Sequence, residues 1–273
     1  MTIDRVAQGQ SDYTKHKQDG LKSLLHVNMR IVKPSLSRCW KPGMPNLSYF
    51  HFDLNAGSGY NETEGVVGSP LVFLNTATAE QINYRAFFCD INKESCEKLL
   101  GRISHNEKAY VFWGDNRSFS EMIPDIIRLK PESENCVTGE NPRFAMGSVY
   151  VDPNGPSGLM VDEMASLFRL CDRLDLIVNL SATGLKRSKS ASWSMTVSEL
   201  MGKIRKKHWV VRKFYGPWQW TLLLGSNFDK VPSWKAKGFV LAESPEGIDT
   251  LNRMDMTADE YREFSSFRQV EML

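Results

Sequence analysis

Residues 50–61 read FHFDLNAGSGYN, and this stretch decides the fold. Aromatic residues run into Asp53, and Asn55, Gly57 and Gly59 follow within six positions. That is a buried strand ending in an acid and a glycine-rich turn, the start of a βα unit whose carboxyl end faces a ligand. Glycine lets the backbone turn tightly and lets a ligand come close to it. The third glycine of the dinucleotide fingerprint is absent, which argues against a nicotinamide cofactor.

Working outward, strands and helices alternate. YRAFFCDI (84–91), KAYVFWGDN (108–116), MGSVYVDPN (146–154) and RLDLIVNLS (173–181) read as four more strands. Between them SPLVFLNTATAEQI, NKESCEKLLGRI, SFSEMIPDIIRL and GLMVDEMASLFRLC read as helices, and a further helix spans VSELMGKIRKKHW (197–209). Ser69 is a candidate N-cap before Pro70, and Ser118…Glu121 and Thr196…Glu199 have capping-box spacing. PWQWTLLLGSN and KGFVLAES read as a closing pair of strands. The strands are nearly continuous apolar runs, as in a sheet covered on both faces. The pattern predicts an α/β fold, a doubly wound, mostly parallel seven-stranded sheet with an antiparallel last strand. Upstream, residues 13–33 read as a helix with Leu21, Leu24, Leu25, Val27 and Ile31 on its apolar side, stopped by Pro34. The expected organisation is a helical extension at 1–47, the main domain at 48–243 with a basic insert at 185–216, and an acidic helical tail at 244–273.

Composition narrows the class. The chain has 273 residues and a net charge of +2. No apolar run approaches the roughly 20 residues that span a bilayer, and the polar N-terminus lacks a secretion signal. A cytoplasmic protein without a membrane partner is expected. Cys39, Cys89, Cys96, Cys136 and Cys171 are widely spaced with no C-x-x-C pair, and the histidines are scattered. Neither a disulfide framework nor a metal site is expected.

In a doubly wound sheet the ligand lies outside the carboxyl ends of the strands. Four successive strand ends carry polar groups there. The first has Asp53, Asn55, Gly57 and Gly59. The second has Asp90, which either accepts ribose hydroxyls or caps the next helix. The third has Asp115 and Asn116, which either pair with an adenine edge or make a turn and cap. The fourth has Asp152, Pro153, Asn154 and Gly155.

This order resembles the class I S-adenosylmethionine-dependent methyltransferases. The resemblance covers about residues 48–243. It implies S-adenosyl-L-methionine as cofactor. Asp53, Asn55, Gly57 and Gly59 would hold its methionine end, Asp90 its ribose, and Asp115 and Asn116 its adenine. Within that fold TKHKQDGLKSLL, FDLNAGSGYN, GSPLVFL, VDPNG and LIVNLS resemble the three-Cys-motif partner proteins, with Asn55 where that family has an aromatic. The fourth motif is also similar to the Asp/Asn-Pro-Pro-aromatic motif of amino-methylating nucleic-acid methyltransferases. The likeness implies that Asp152 and Pro153, with Asn154 beside them, are catalytic and orient an exocyclic amine. Asn154 and Gly155 replace that motif's second proline and aromatic.

One segment is strongly basic. Lys186, Arg187, Lys189, Lys203, Arg205, Lys206, Lys207, Arg212 and Lys213 stand against a single acid, Glu199. Trp193, Trp209, Phe214, Tyr215, Trp218 and Trp220 are interleaved with them. Cations on phosphates and aromatics on bases make a nucleic-acid surface, DNA before RNA. The bland alternative is a solvated helix with Trp209 and Trp220 packed in the core. The reading that follows is a methyltransferase of a nucleic-acid base, adenine N6 in DNA favoured. The alternatives are a protein or small-molecule methyltransferase, or a non-catalytic cofactor-binding module that works through a protein partner.

Overall fold

A computed structural model describes residues 13–38, 47–62, 65–129, 140–153, 159–189, 195–214, 220–228, 238–257 and 259–264, the last few of some helices by backbone alone. An eight-stranded sheet forms its centre. In chain order the elements are α1 (Tyr13–Arg38), β1 (Tyr49–Asp53), the ribbon β2 (Tyr60–Asn61) and β3 (Val66–Val67), α2 (Ser69–Ala79), β4 (Tyr84–Asp90), α3 (Lys93–Ile103), β5 (Ala109–Trp113) and α4 (Asn116–Arg128). There follow β6 (Met146–Val151), α5 (Val161–Leu170), β7 (Leu174–Ser181), α6 (Ala182–Lys189), α7 (Val197–Ile204), β8 (His208–Arg212), β9 (Trp220–Ser226), β10 (Phe239–Leu241) and α8 (Pro245–Asp255).

The sheet order is β10-β8-β9-β7-β6-β1-β4-β5. Strands β5, β4, β1, β6 and β7 are mutually parallel, and β9 lies antiparallel between β7 and β8. This is a Rossmann-like fold, a doubly wound, mostly parallel sheet. The count differs by one, because the short β10 adds an eighth strand, antiparallel to β8.

The misplaced strand is β8. The helical pattern from Val197 breaks at Arg205, which takes left-handed backbone angles (φ 54°, ψ 49°) and ends α7. Two β-branched residues, Val210 and Val211, then favour a strand. So the hairpin in the sheet is β8–β9, and KGFVLAES supplies only the edge strand.

Alternation sorts each strand between two cores. Phe50, Phe52 and Leu54 join the layer under α4, α5, α7 and α8. Tyr49 joins the layer under α1, α2 and α3. Helix α1 runs past Pro34 to Arg38. Its buried stripe is Leu21, Leu24, Leu25, Met29, Val32 and Leu36, while Val27 and Ile31, expected on that side, are only half-buried. Proline disfavours a helix interior by about 3 kcal/mol. Burying Leu36 beyond it, with Arg30 and Lys33 both bonded to Glu80 at the end of α2, offsets that penalty. A buried polar chain also ties α1 to the sheet. Asn28 donates to Asp175 and accepts from the Tyr49 hydroxyl, which reaches Ser148 at 2.9 Å, and Ser148 meets His51 at 2.9 Å.

Among the other helices, α2 is capped by Gly68 rather than Ser69, and Thr196 and Glu199 form the expected capping box of α7. Cys89, Cys96 and Cys171 are buried free thiols. Among the described residues no helix is long and apolar enough to cross a membrane, and no group of three side chains could hold a metal.

Candidate active site

The chain leaves β1 toward β4 on one side and later toward β6 on the other. The winding reverses at the carboxyl ends of β1 and β6, the place where an open α/β sheet forms its binding crevice. Two bonds join its walls: Leu54 N–H donates to Tyr150 O at 3.0 Å, and Asp152 N–H donates to Asn55 Oδ1 at 3.2 Å.

On the β1 side, Gly57 (φ +60°) and Gly59 (φ +76°) take left-handed angles that favour glycine. A Cβ on Gly59 would lie 2.7 Å from Leu99 Cδ1, so that glycine packs against α3. A Cβ on Gly57 would meet nothing within 4 Å. The loop therefore leaves open space above Gly57. Arg102 of α3 braces it from behind, donating to Ser58 O at 2.8 Å. Asp53 is fully buried, and its Oδ1 accepts the Asn55 N–H at 3.1 Å. Burial pushes its carboxyl up to about 7, and Asp152 and Asp90 push the same way. Its bonds from Ser69 and the Asn55 N–H work in the other direction.

Asp90 does not cap α3, because Asn92 does, accepting the Ser95 N–H at 3.0 Å. Instead Asp90 Oδ2 accepts the Gly57 N–H at 2.8 Å and Oδ1 accepts the Asn92 N–H at 2.8 Å. It holds the first loop against the second. Beside it Ile91 is 74% exposed and Trp113 63% exposed. The Trp113 ring is fixed by its Nε1–H bond to Ile91 O at 3.1 Å and by Lys93, 5.2 Å from its centre. These form an apolar shelf next to a carboxylate. Asp115 is the N-cap of α4, accepting the Ser118 N–H at 3.1 Å, and Asn116 is the first residue of that helix. The cap uses Asp115 Oδ2, so the expected Ser118…Glu121 capping box is replaced by a one-way N-cap bond three residues earlier.

Asp152 is held from three elements. Asn179 of β7 donates to Oδ1 at 2.7 Å, Lys17 of α1 donates to Oδ2 at 2.6 Å, and Asn55 takes the backbone N–H. Pro153 follows, half-buried, and Asn154 and Gly155 lie outside the described residues. Thus Asn55, Gly57, Gly59, Asp90, Asp152 and Pro153 gather at the carboxyl ends of β1, β4 and β6, with Asp53 buried beneath them. Asp115 and Asn116 follow β5, the neighbour of β4. Asn55, the departure from the partner-protein motif, is the residue that couples the two loops. Lys17, Asn179 and Arg102 have no part in the sequence reading of the site. A signal marks two of the three. Lys17 continues the buried stripe of α1 toward the N-terminus, and Asn179 interrupts an apolar strand.

The basic segment does not form one face. Lys206 is buried and donates to Asp172 O at 3.1 Å and Leu174 O at 2.6 Å, with its ammonium 4.1 Å from the Phe168 ring centre. Burial pulls it down to about 8, against the attraction of Asp175 and Asp172. Arg212 is buried over Trp220 at 4.5 Å. Lys203 pairs with Asp162 at 3.4 Å, and Arg205 and Lys207 are exposed. Lys203, Arg205, Lys206 and Lys207 lie at the amino ends of β7 and β8, across the sheet from the crevice. Arg212 and Lys213 lie at the carboxyl end of β8, as does the backbone of α6, which follows β7 and carries Lys186, Arg187 and Lys189. The side chains of these last three, and Trp193, Tyr215 and Trp218, lie outside the described residues. Trp209 and Trp220 pack in the core, the bland alternative, and Phe214 is half-buried beneath Arg253 at 4.6 Å.

No family model matches the chain, and no curated protein matches it in sequence. Solved structures do match. The crystallised protein LPL1258 of Legionella pneumophila is 14% identical, with a TM-score of 0.51 over 81% of this chain and 88% of that one. The bifunctional kinase-methyltransferase WbdD is 14% identical, with a TM-score of 0.46 over 80% of this chain and 40% of that one. The candidate methyltransferase yhhF of Escherichia coli is 13% identical, with a TM-score of 0.39 over 80% of this chain and 86% of that one. What the chain shares with the Legionella protein is its fold.

Proposed function

We propose that this protein is an S-adenosylmethionine-dependent methyltransferase acting on an exocyclic amine of a nucleic-acid base, adenine N6 in DNA being favoured, with low sequence specificity. The observation that carries this is the bond from Asp152 N–H to Asn55 Oδ1. It joins the glycine loop after β1 to the Asp152-Pro153 turn after β6, which supports a cofactor and an acceptor bound side by side.

The residues present fit the cofactor. The open space above Gly57 leaves room for a ligand against the backbone. Each Asp90 oxygen bonds one backbone N–H, and a carboxylate oxygen has a second lone pair for a ribose hydroxyl. Ile91 and Trp113 offer an apolar shelf to a base, with Asp115 at its margin. When bound, S-adenosylmethionine supplies an electrophilic methyl group. The protein's task is then to place the acceptor nitrogen. Asp152 and the Pro153 carbonyl accept the two N–H bonds of the amine and turn its lone pair toward the crevice. Positioning and fixed dipoles supply the rate.

The test is incubation with methyl-labelled cofactor and DNA or RNA, followed by mass spectrometry of the nucleosides. N6-methyladenine is expected. Cofactor binding with no label in any nucleic acid sinks the base assignment. A second reading, a protein or small-molecule acceptor, is favoured by the division of the basic segment between two edges of the sheet. Label in a protein or small molecule and none in nucleic acid decides for it, while Lys203→Glu, Arg205→Glu and Lys207→Glu together test that surface: unchanged transfer to nucleic acid removes it from the mechanism.

A further inference from the structure

We infer that Lys17 is a specificity-determining residue of the acceptor site: its ammonium neutralises Asp152, so the site takes an uncharged amine and not an alkylammonium. The inference rests on the methyl-transfer reading above. Lys17 sits in the first turns of α1, four residues before Leu21, on the stripe that faces the sheet. Its Nζ lies 2.6 Å from Asp152 Oδ2, and the two side chains are only 15% and 20% exposed. A pair so withdrawn from water is weakly screened.

Among the described residues, the charges of Asp152 and Asp90 converge on Asp53, and Lys17 is the cation bonded to Asp152. Asp53 comes from β1 and Asp90 from β4, while Asn179 from β7 is neutral. Without Lys17 this rim would carry uncompensated negative charge. An alkyl amine such as a lysine side chain is protonated near neutral pH, with a pKa of about 10.4. It would dock there as a counter-ion, in a form with no lone pair for transfer. Lys17 already occupies that role. A base amine is uncharged and needs only acceptors. Asp152 retains that capacity, since each of its oxygens has two lone pairs and the bonds from Lys17 and Asn179 use one on each.

The test is a competition. The full chain, with methyl-labelled S-adenosylmethionine, is offered equal amounts of an adenine-bearing single-stranded oligonucleotide and a peptide with free lysines. The wild type is expected to label the oligonucleotide at least tenfold over the peptide. Lys17→Met is expected to shrink that ratio about tenfold, and Lys17→Arg to keep it. A structural defect lowers both activities and leaves the ratio alone. Calorimetry with spermidine on the S-adenosylhomocysteine complex makes the comparison without turnover, tighter binding to Lys17→Met being expected. A wild type that labels the peptide, or a Lys17→Met variant with unchanged ratio and unchanged spermidine affinity, overturns the inference alone. Label in neither acceptor while S-adenosylhomocysteine binds overturns the base assignment, and this inference with it.

Discussion

Asp90 Oδ2 accepts the Gly57 N–H at 2.8 Å, so the carboxylate at the end of β4 holds the glycine loop at the end of β1. The same carboxylate also fixes the Asn92 N–H, where α3 begins. Asp90→Ala removes two charge-assisted bonds of about 1.5–3 kcal/mol each. S-adenosylhomocysteine affinity is expected to fall at least 100-fold by calorimetry, with Asp90→Asn intermediate. Unchanged affinity would place the cofactor elsewhere.

The two glycines of the loop separate binding from stability. Gly59→Ala meets both a positive φ and Leu99 Cδ1 at 2.7 Å. It is expected to destabilise the fold by about 2–3 kcal/mol in urea denaturation. Gly57→Ala meets only the positive φ and intrudes on the open space. Its stability loss is expected to be about 1 kcal/mol, with cofactor affinity as the larger casualty. Equal effects of the two variants on binding would contradict this division.

The basic residues divide in the same way. Lys207→Glu is exposed and is expected to change stability by under about 0.5 kcal/mol. Lys206→Glu puts a carboxylate where an ammonium served two backbone carbonyls, a loss expected to exceed about 3 kcal/mol. Chemical denaturation of the two variants side by side checks this.

His51 and Asp53 titrate against each other. Burial pulls His51 from 6.5 down to about 3, so its contribution is full above 6.5 and is lost as pH falls toward 3. Burial pushes Asp53 from 3.8 up to about 7, so its contribution is full below 3.8 and is lost as pH rises through 7. Between about pH 4 and 6.5 the slopes oppose, each worth about 1.4 kcal/mol per pH unit. Relative to wild type, Asp53→Asn is expected to lose stability faster on acidification, and His51→Asn on alkalinisation. Urea midpoints at pH 4.5, 5.5 and 6.5 decide it; parallel profiles for all three proteins would refute the assignment.

The strand ends were legible because an apolar run ending in a polar residue is a local signal, and β1, β4, β5, β6 and β7 each carry one, β5 even at the half-exposed edge. β8 was not, because the helical pattern of VSELMGKI runs into it and the stop at Arg205 is a backbone angle without glycine to announce it. Pro34 misled for the opposite reason: a local breaker was outweighed by burial of Leu36 beyond it. At the site, Asp53, Asp90 and Asp152 could be placed by order alone. Their partners could not. Lys17 is 135 residues from Asp152, and only the docked helix brings it there. Charge counting gave Lys206 and Arg212 the same weight as Lys207, although the sheet buries the first two.

The polar chain through Asn28 has one more consequence. An apolar stripe on a helix tolerates sliding by a turn, because one leucine replaces another in the same hollow. Asn28 against Asp175 and Tyr49, and Lys17 against Asp152, do not tolerate it. They stand eleven residues apart, about 16 Å of helix, close to three whole turns. Together they make α1 a ruler, with one mark read deep in the sheet and the other at the crevice rim. One residue inserted between Lys17 and Leu21 would swing Lys17 about 100° around the helix axis while Leu21, Leu24 and Leu25 kept their places. Such a chain would fold, and would have lost the address at which its cation is delivered.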